Sequence, residues 1–584
     1  MSKDDLIKKI REQLLKDKID LFIVTKYDPH KSEYSPDHYN YINLVSGFTG
    51  STATLTITQE EVCLFVDGRY HIQAEKEVKG TEIKVQKLGV DKVPTMIEYI
   101  ENLVKDGLTI GLQGEAMPSN LFNDISNITK DCEVKFDVNV TLLETLWEDR
   151  PALKNNEIFS HDIFFTGLSF LDKLEKVYEK MAKDKIDSYI IGTLEDIAWL
   201  LNYRGNDLQN SPTFRSYLVI NKDKVHLFID DSKIKNVTLD KKIEVHKYED
   251  IYSFINSISE DFKVAYKNDI NYKLLNSIKS NKKHSLTVNY TEELKAVKNA
   301  VELKNIEKAY EKDCVALVRA IKKIKENAKT LTEVDVDRIL IEERSKMEHY
   351  LMPSFDTIAG YMSNGALMHY KATEKDFSKL DNKGFLLIDS GSHFLDGTTD
   401  ITRTIVLGDV TEEMKKDFTF VLRSMIRLSS ATFLKGATGA QLDMFSRVSM
   451  WENQMDYKSG TGHGIGFCLG VHEGPNGIGT RSTHQAELNM LYSNEPGVYK
   501  ENKYGIRTEN TIYVKEVCTN DDGIFYGFDT VSFFPIDVDA IDKKYLSEND
   551  ILWLNNYHKE TYAKLSPFLN EEEKNWLKNE TREI

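Results

Sequence analysis

Positive charge is in short supply in this sequence: 76 Lys and Arg stand against 93 Asp and Glu, a net charge of −17. A nucleic-acid or anionic-membrane binder carries the opposite footprint, so no nucleic-acid partner and no membrane partner are expected. Cysteine is scarce as well. Cys63, Cys132, Cys314, Cys468 and Cys518 are scattered along 584 residues without a CxxC pair. That spacing fits neither a disulfide framework nor a zinc-thiolate cluster; it reads as free buried thiols in a reducing compartment. No run of about 18 apolar residues occurs, so no helix is expected to span a membrane. The opening MSKDDLIKKIREQ is charged throughout and lacks the apolar stretch of a secretory signal. A cytoplasmic chain is the expectation.

What is present is an ordinary globular composition, 41% hydrophobic and 29% charged. The length suits three or four domains at about 150 residues each. The first half looks duplicated. KDKIDLFIVT at 16–25 returns as KDKIDSYIIGT at 183–193, YINLVSG at 41–47 as WLLNYRG at 199–205, and VCLFVDGRY at 62–70 as VHLFIDDSK at 225–233. The offsets, 167 (183 − 16), 158 (199 − 41) and 163 (225 − 62), are nearly constant, as two copies of one unit leave them. Alternating helix and strand patterns make each copy a small α/β layer domain. Leu294, Val297, Val301, Ile306, Tyr310, Val315, Val318 and Ile321 then predict a long amphipathic helix over 291–328. The stretch 540–584 reads as helical, anchored by Leu552, Leu554, Tyr557 and Trp576. The expected domains are 1–152, 153–290 and 291–584.

The third domain holds the chemistry. In order it offers LLIDSG (Asp389), GTTDITRT (Asp400), GTGHGIG (His463), SNEPG (Glu495) and GIRTEN (Glu509). Asp389 ends a buried apolar strand, where a carboxylate is costly unless its charge is compensated. Four carboxylates and one imidazole gathered in one place raise one another's pKa without cations. Two divalent cations bring +4 against −4. Oxygen ligands with a single His favour Mn, Co or Zn, and two such ions about 3.5–4 Å apart make a hydrolytic centre. Taken singly, each motif has a plainer reading: a strand-end cap, a polar His, a flexible glycine loop, a surface ion pair. Their coincidence favours the metal centre.

Local geometry supports that only in part. Asp396-Gly397 is a strong hairpin-turn signal. A two-residue turn there puts Asp400 opposite His393 and leaves Asp389 roughly 13 Å away at about 3.3 Å per residue, so shared ligation needs a longer or bulged loop. In GIRTENTIYV, period two puts Arg507 and Glu509 on one face, where the cation keeps the carboxylate ionised and oriented. Pro496 biases Glu495 to extended backbone. His369 in SNGALMHY and His472 in VHEGP suit either of two roles: donors to a carbonyl or tetrahedral oxyanion, or supports for a ligand.

The set DSG…DGTTDITRT…GTGHGIG…VHEGP…NEPGVY…YGIRTEN resembles the pita-bread metallopeptidases, which include methionine aminopeptidase, prolidase and Xaa-Pro aminopeptidase. The aspartates lie 11 apart (400 − 389) and the glutamates 14 apart (509 − 495), as in that family. VSGFTGS at 45–51, DGRYHIQAE at 67–75, EDIAWLLNYRGND at 195–207 and WLNNYH at 553–558 extend the likeness over essentially the whole chain, most closely to its cytosolic three-domain Xaa-Pro aminopeptidases. The resemblance implies an α/β (α+β) protein: two creatinase-like N-terminal domains followed by a pita-bread catalytic domain. It implies that Asp389 holds one metal, that Asp400 and Glu509 bridge both, and that His463 and Glu495 hold the other. A metal-bridging hydroxide would attack the carbonyl before proline, with Glu495 moving the proton. His369 and His472 would stabilise the intermediate or bind substrate, and Arg507 would tie the site to substrate and supporting residues. Two Mn ions and a homodimer are implied, and peptides with proline second are the partners. One position departs: Ser459 stands where many relatives carry a second histidine, which touches affinity or length preference rather than metal binding.

Three other readings stay open. A prolidase would prefer Xaa-Pro dipeptides. A non-catalytic pita-bread module would bind peptide or protein, but needs lost ligands. A creatinase-type amidinohydrolase lacks the full metal set.

Overall fold

A computed structural model describes residues 2–584. They form two compact units. One comprises the chain up to Ser160 with Phe170–Gln209 and Thr213–Thr291; the other comprises Glu292–Ile584 with His161–Ser169 and Asn210–Pro212.

The first unit contains the duplication, strand for strand. In each copy a central strand, Leu21–Thr25 or Ser188–Ile191, pairs antiparallel on one side and parallel on the other. The antiparallel neighbours are Thr54–Ile57 and Tyr217–Asn221; the parallel ones are Thr109–Leu112 and Lys263–Lys267. Both six-stranded sheets continue in the same order and the same directions to their edges. The central strand LFIVT is buried throughout because both sheet faces are covered. Phe22 and Val24 meet Leu6, Ile10 and Leu14 of helix Lys3–Asp17, whereas Leu21 and Ile23 meet Ile100, Phe122 and Ile125. The period of two along the strand sorts them.

The expected helix over 291–328 is two helices, Tyr290–Ala296 and Ala300–Asn327, the second of which lies wholly in the second unit. The break is a capping box. The Asn299 side chain accepts from the Val301 and Glu302 amides, and Glu302 reaches back to the Asn299 amide. Val301, expected to be apolar-facing, is instead 40% exposed. The long helix covers one face of a three-stranded sheet, packing on Leu386, Ile388, Ile401 and Ile405. Helix Glu412–Ser429 packs with Phe385 and Val406 on the other. This sheet, Ile358–Tyr361, Phe385–Ser390 and Ile401–Val406, is therefore clad on both sides. A six-stranded sheet includes Gly462–Gly464, Leu491–Asn494 and Asn510–Asn520.

Three expectations need correcting. The hairpin joining Phe385–Ser390 to Ile401–Val406 turns at Leu395-Asp396, not at Asp396-Gly397: His393 pairs with Thr398 and Phe394 with Gly397. Gly397 serves close packing, since a Cβ there would sit 3.3 Å from Ile306 of the long helix. In helix Glu548–Leu565 the buried stripe is Leu554, Tyr557, His558, Thr561 and Leu565; Leu552, about 200° away from Leu554, is 59% exposed. None of the five cysteines is in a disulfide, but only Cys63, Cys314 and Cys468 are buried; Cys132 is half-buried and Cys518 exposed. Among the described residues no helix is long and apolar enough to cross a membrane.

Candidate metal centre

Asp389 and Asp400 come from the two arms of that hairpin. Asp389 pairs with Thr402, and Ser390 with Ile401, in the register that also pairs His393 with Thr398. Asp400 therefore falls two residues from Asp389 along the ladder, within diagonal reach. No bulge is required, because the turn sits one residue earlier than the Asp-Gly signal suggests. The Asp400 backbone is pinned by Tyr310: its amide donates to the Tyr310 hydroxyl at 3.0 Å, and its carbonyl accepts from Thr511 at 3.1 Å.

Glu509 joins them. Its amide donates to the Thr402 carbonyl, and the Thr402 hydroxyl donates to its Oε2 at 2.7 Å. Oxygens of Asp389, Asp400 and Glu509 lie within 4.8 Å of one another, all on buried residues. Glu495 follows strand Leu491–Asn494, its amide donating to the Thr461 carbonyl. Its Oε1 accepts from the Ser493 hydroxyl at 3.1 Å and lies 3.2 Å from His463 Nε2. His463 Nε2 is also 3.4 Å from Asp400 Oδ2, so Asp400 belongs to both halves of the cluster. The other ring nitrogen, Nδ1, lies 2.9 Å from the Gly464 carbonyl, a contact that makes it the donor and aims Nε2 inward. The glycines around His463 let its strand lie close between neighbours: a Cβ at Gly462 would be 1.9 Å from the Ser493 carbonyl oxygen.

Arg507 is buried beside these groups. Its guanidinium donates to Asp389 Oδ2 at 2.6 Å, Tyr499 Oη at 2.5 Å and Thr402 Oγ1 at 3.2 Å, and its Nε is 3.9 Å from Glu495 Oε2. The His472 ring packs edge-on against His463, with centroids 4.3 Å apart, and the residue is exposed. His369 is exposed on the loop between Leu367 and Tyr370; those two flanking residues pack with Tyr499, the partner of Arg507. Ser459 has its carbonyl held by Arg447 at 2.8 Å, and Arg447 is paired with buried Asp443.

The electrostatics call for cations. Burial, then Glu509, Asp389 and Glu495, push Asp400 well above the usual carboxylate range. Burial raises Asp389 despite Arg507, and burial with Asp389 and Glu495 holds Glu509 at about 8. Burial also acts to raise Glu495, but His463 and Arg507 outweigh it and bring it to about 2. Burial acts to lower His463, yet Glu495 holds it at about 9. Asp389 Oδ1 and Glu509 Oε1 are buried with no hydrogen-bond partner among the described residues. A buried carboxylate oxygen left so is costly, and its natural partner in an all-oxygen and imidazole set is a hard or borderline divalent cation. The donor set fits such ions.

Thr402, Tyr499, Ser493 and Tyr310 were not legible as site residues. ITRT gave a signal in hindsight, since the period of two places Thr402 on the same face as Asp400.

Residues 304–516 match metallopeptidase family M24 and 524–584 the C-terminal region of that peptidase group; 7–139 and 149–302 each match the creatinase/prolidase N-terminal domain. A probable Xaa-Pro aminopeptidase P of Laccaria bicolor is 35% identical, covering 98% of this chain and 92% of its own. Aminopeptidase P2 of Arabidopsis thaliana is 33% identical, covering 97% and 86%. The crystal structure of X-prolyl aminopeptidase from Caenorhabditis elegans, described as a cytosolic enzyme with a di-nuclear active site, superposes with a TM-score of 0.95. It is 29% identical and covers 100% of both chains. An Xaa-Pro dipeptidase from Bacillus anthracis shares the fold over 63% of this chain, at a TM-score of 0.52 and 21% identity.

Proposed function

The chain belongs to metallopeptidase family M24, and on that premise we propose how its centre works. It is a metallo-aminopeptidase of the Xaa-Pro type, hydrolysing the bond between an N-terminal residue and a following proline. The residues assigned to hold two divalent cations are Asp389 on one, His463 and Glu495 on the other, and Asp400 and Glu509 shared. The carrying observation is a pair of buried, unpartnered oxygens, Asp389 Oδ1 and Glu509 Oε1, on two carboxylates that gather with that of Asp400. When bound, the cations supply a nucleophile from water and a Lewis acid at neutral pH. Mn2+ is the assignment, on the family resemblance, with Zn2+ and Co2+ as alternatives.

The protein's own groups do the rest. Glu495 Oε1 accepts from the Ser493 hydroxyl on the His463 side of the site, which leaves Oε2 to take a proton from the attacking water and return it to the departing prolyl nitrogen. His472, exposed beside His463, donates to the substrate carbonyl oxygen as charge develops there. His369 is assigned to the same task from the loop next to Tyr499. Arg507 is buried and spent on Asp389, Tyr499 and Thr402, so it acts by positioning Asp389 rather than by touching peptide. The domain limits 1–152, 153–290 and 291–584, a cytoplasmic location and a homodimer belong to the same reading; the location is supported by the cytosolic relative.

The test is chelation followed by add-back. Metal-stripped protein should be inactive on an Xaa-Pro-Xaa tripeptide and regain activity with Mn2+ in preference to Zn2+ or Co2+. Activity that survives complete metal removal would refute the assignment.

A further inference from the structure

A second set of metal-type donors lies in the first unit, on residues that the catalytic centre does not use. Strands Val225–Phe228 and Ile243–His246 run parallel at one edge of the second sheet, with His226 opposite Glu244 and Phe228 opposite His246. Period two puts Glu244 and His246 on the same face, and the register puts His226 there with them. The side chains meet. His226 Nδ1 lies 3.0 Å from His246 Nε2, and Glu244 Oε1 lies 3.7 Å from that same nitrogen. All three donor atoms fall within 4.8 Å of one another.

A tetrahedral ion with donors at about 2.0–2.1 Å keeps neighbouring donors about 3.3–3.4 Å apart. The observed 3.0 and 3.7 Å bracket that spacing, and the third pair, His226 with Glu244, lies within 4.8 Å. The two imidazoles are also held in place. Phe254 packs against both, at centroid distances of 4.6 Å and 5.3 Å, and Phe228 stacks on His246 at 4.8 Å with planes 20° apart. These rings limit rotation and keep water off one side. His246 and Glu244 stay open to solvent on the other, 21% and 52% exposed, so an ion has an entry path.

We propose that His226, Glu244 and His246 form a separate metal site that takes one borderline divalent transition-metal ion, Zn2+ above all, and clips the two edge strands together. Two imidazoles with one carboxylate select Zn2+, Co2+, Ni2+ or Cu2+ over Mg2+ and Ca2+. Three protein ligands leave a fourth position to water.

The experiment counts metal on the full-length protein. The chain is loaded with Mn2+, equilibrated with Zn2+ and freed of excess, and total Mn plus Zn is measured by mass spectrometry. The wild type should bind one ion more per chain than His246→Gln or His226→Gln, and both variants should keep their peptidase activity. Equal metal content in the wild type and both variants overturns the proposal. Anomalous diffraction at the zinc edge on wild-type crystals decides even if a variant fails to fold. A peak between the three side chains supports the site, and its absence after a Zn2+ soak refutes it.

Discussion

Arg507 donates to Asp389 at 2.6 Å, and both side chains are buried. Asp389 therefore keeps one oxygen on the Arg507 guanidinium, while the other has no partner among the described residues, in a carboxylate that gathers with Asp400 and Glu509. Removing one partner of a buried pair leaves a charge stranded, at about 3–5 kcal/mol. Loss of an outer partner of a metal ligand weakens affinity about 10–100-fold. Arg507→Ala is expected to lower Mn2+ affinity in that range and to reduce kcat, with Arg507→Lys intermediate. Calorimetric titration of metal-stripped protein checks it; wild-type affinity in Arg507→Ala would refute the positioning role.

Asp400 and Glu509 are assigned to both cations. Asp400→Ala and Glu509→Ala should lose bound metal and activity together. Removing a carboxylate from a crowd of four also relieves repulsion, so the metal-free variants should melt no lower than metal-free wild type. Metal content and thermal unfolding are measured side by side. Full activity in either variant would sink the two-metal assignment.

The metal-free centre holds protons at pH 7. Burial, then Asp389 and Glu495, keep Glu509 at about 8; His463, which burial would lower, is kept at about 9 by Glu495. Both cations need these groups deprotonated, so Mn2+ binding at pH 7 is expected to release protons and to tighten from pH 7 to 9. Titrations in two buffers of different ionisation enthalpy count the protons. Both pKa values also lie above the unfolded ones, about 4.3 and 6.5. Their contribution to the metal-free fold is present at low pH and lost as pH rises through about 8 and about 9. The metal-free Tm should fall over that window. A proton count of zero at pH 7 contradicts this account.

His472 lies against His463 yet is exposed. His472→Ala should keep its metal and lose activity by about 10²–10³, the cost of one oxyanion donor, about 2.7–4 kcal/mol. His369→Ala should do the same from the loop next to Tyr499. Metal loss in either variant, rather than a kinetic defect, would make that histidine a support for a ligand instead of a contact to peptide.

Much of the architecture was legible because repetition is a sequence property. The pairing of KDKIDLFIVT with KDKIDSYIIGT becomes two central strands in two sheets of one topology. The gathering of Asp389, Asp400, His463, Glu495 and Glu509 was legible because charge at glycine-bounded strand ends is unusual. Misreadings arose where tertiary contact overrode local preference. Asp396-Gly397 carries a turn signal, but Asp396 is bound by Lys312 and His349, and Gly397 lies under Ile306. The turn shifts by one residue and brings Asp400 toward Asp389. Thr402, Ser493 and Tyr499 stayed hidden because a hydroxyl that orients a ligand looks like any other in a strand. The exposed face of Leu552 was hidden because three apolar residues in LWL do not say which two face inward.

The most direct measurement is release of the N-terminal residue from an Xaa-Pro-Xaa tripeptide and from an Xaa-Pro dipeptide, with metal-stripped protein before and after addition of Mn2+. Metal-dependent cleavage of the tripeptide, with the dipeptide poor, is the predicted result. Preference for the dipeptide would make the protein a prolidase despite its duplicated N-terminal half. Metal binding without cleavage of either peptide would contradict the catalytic account.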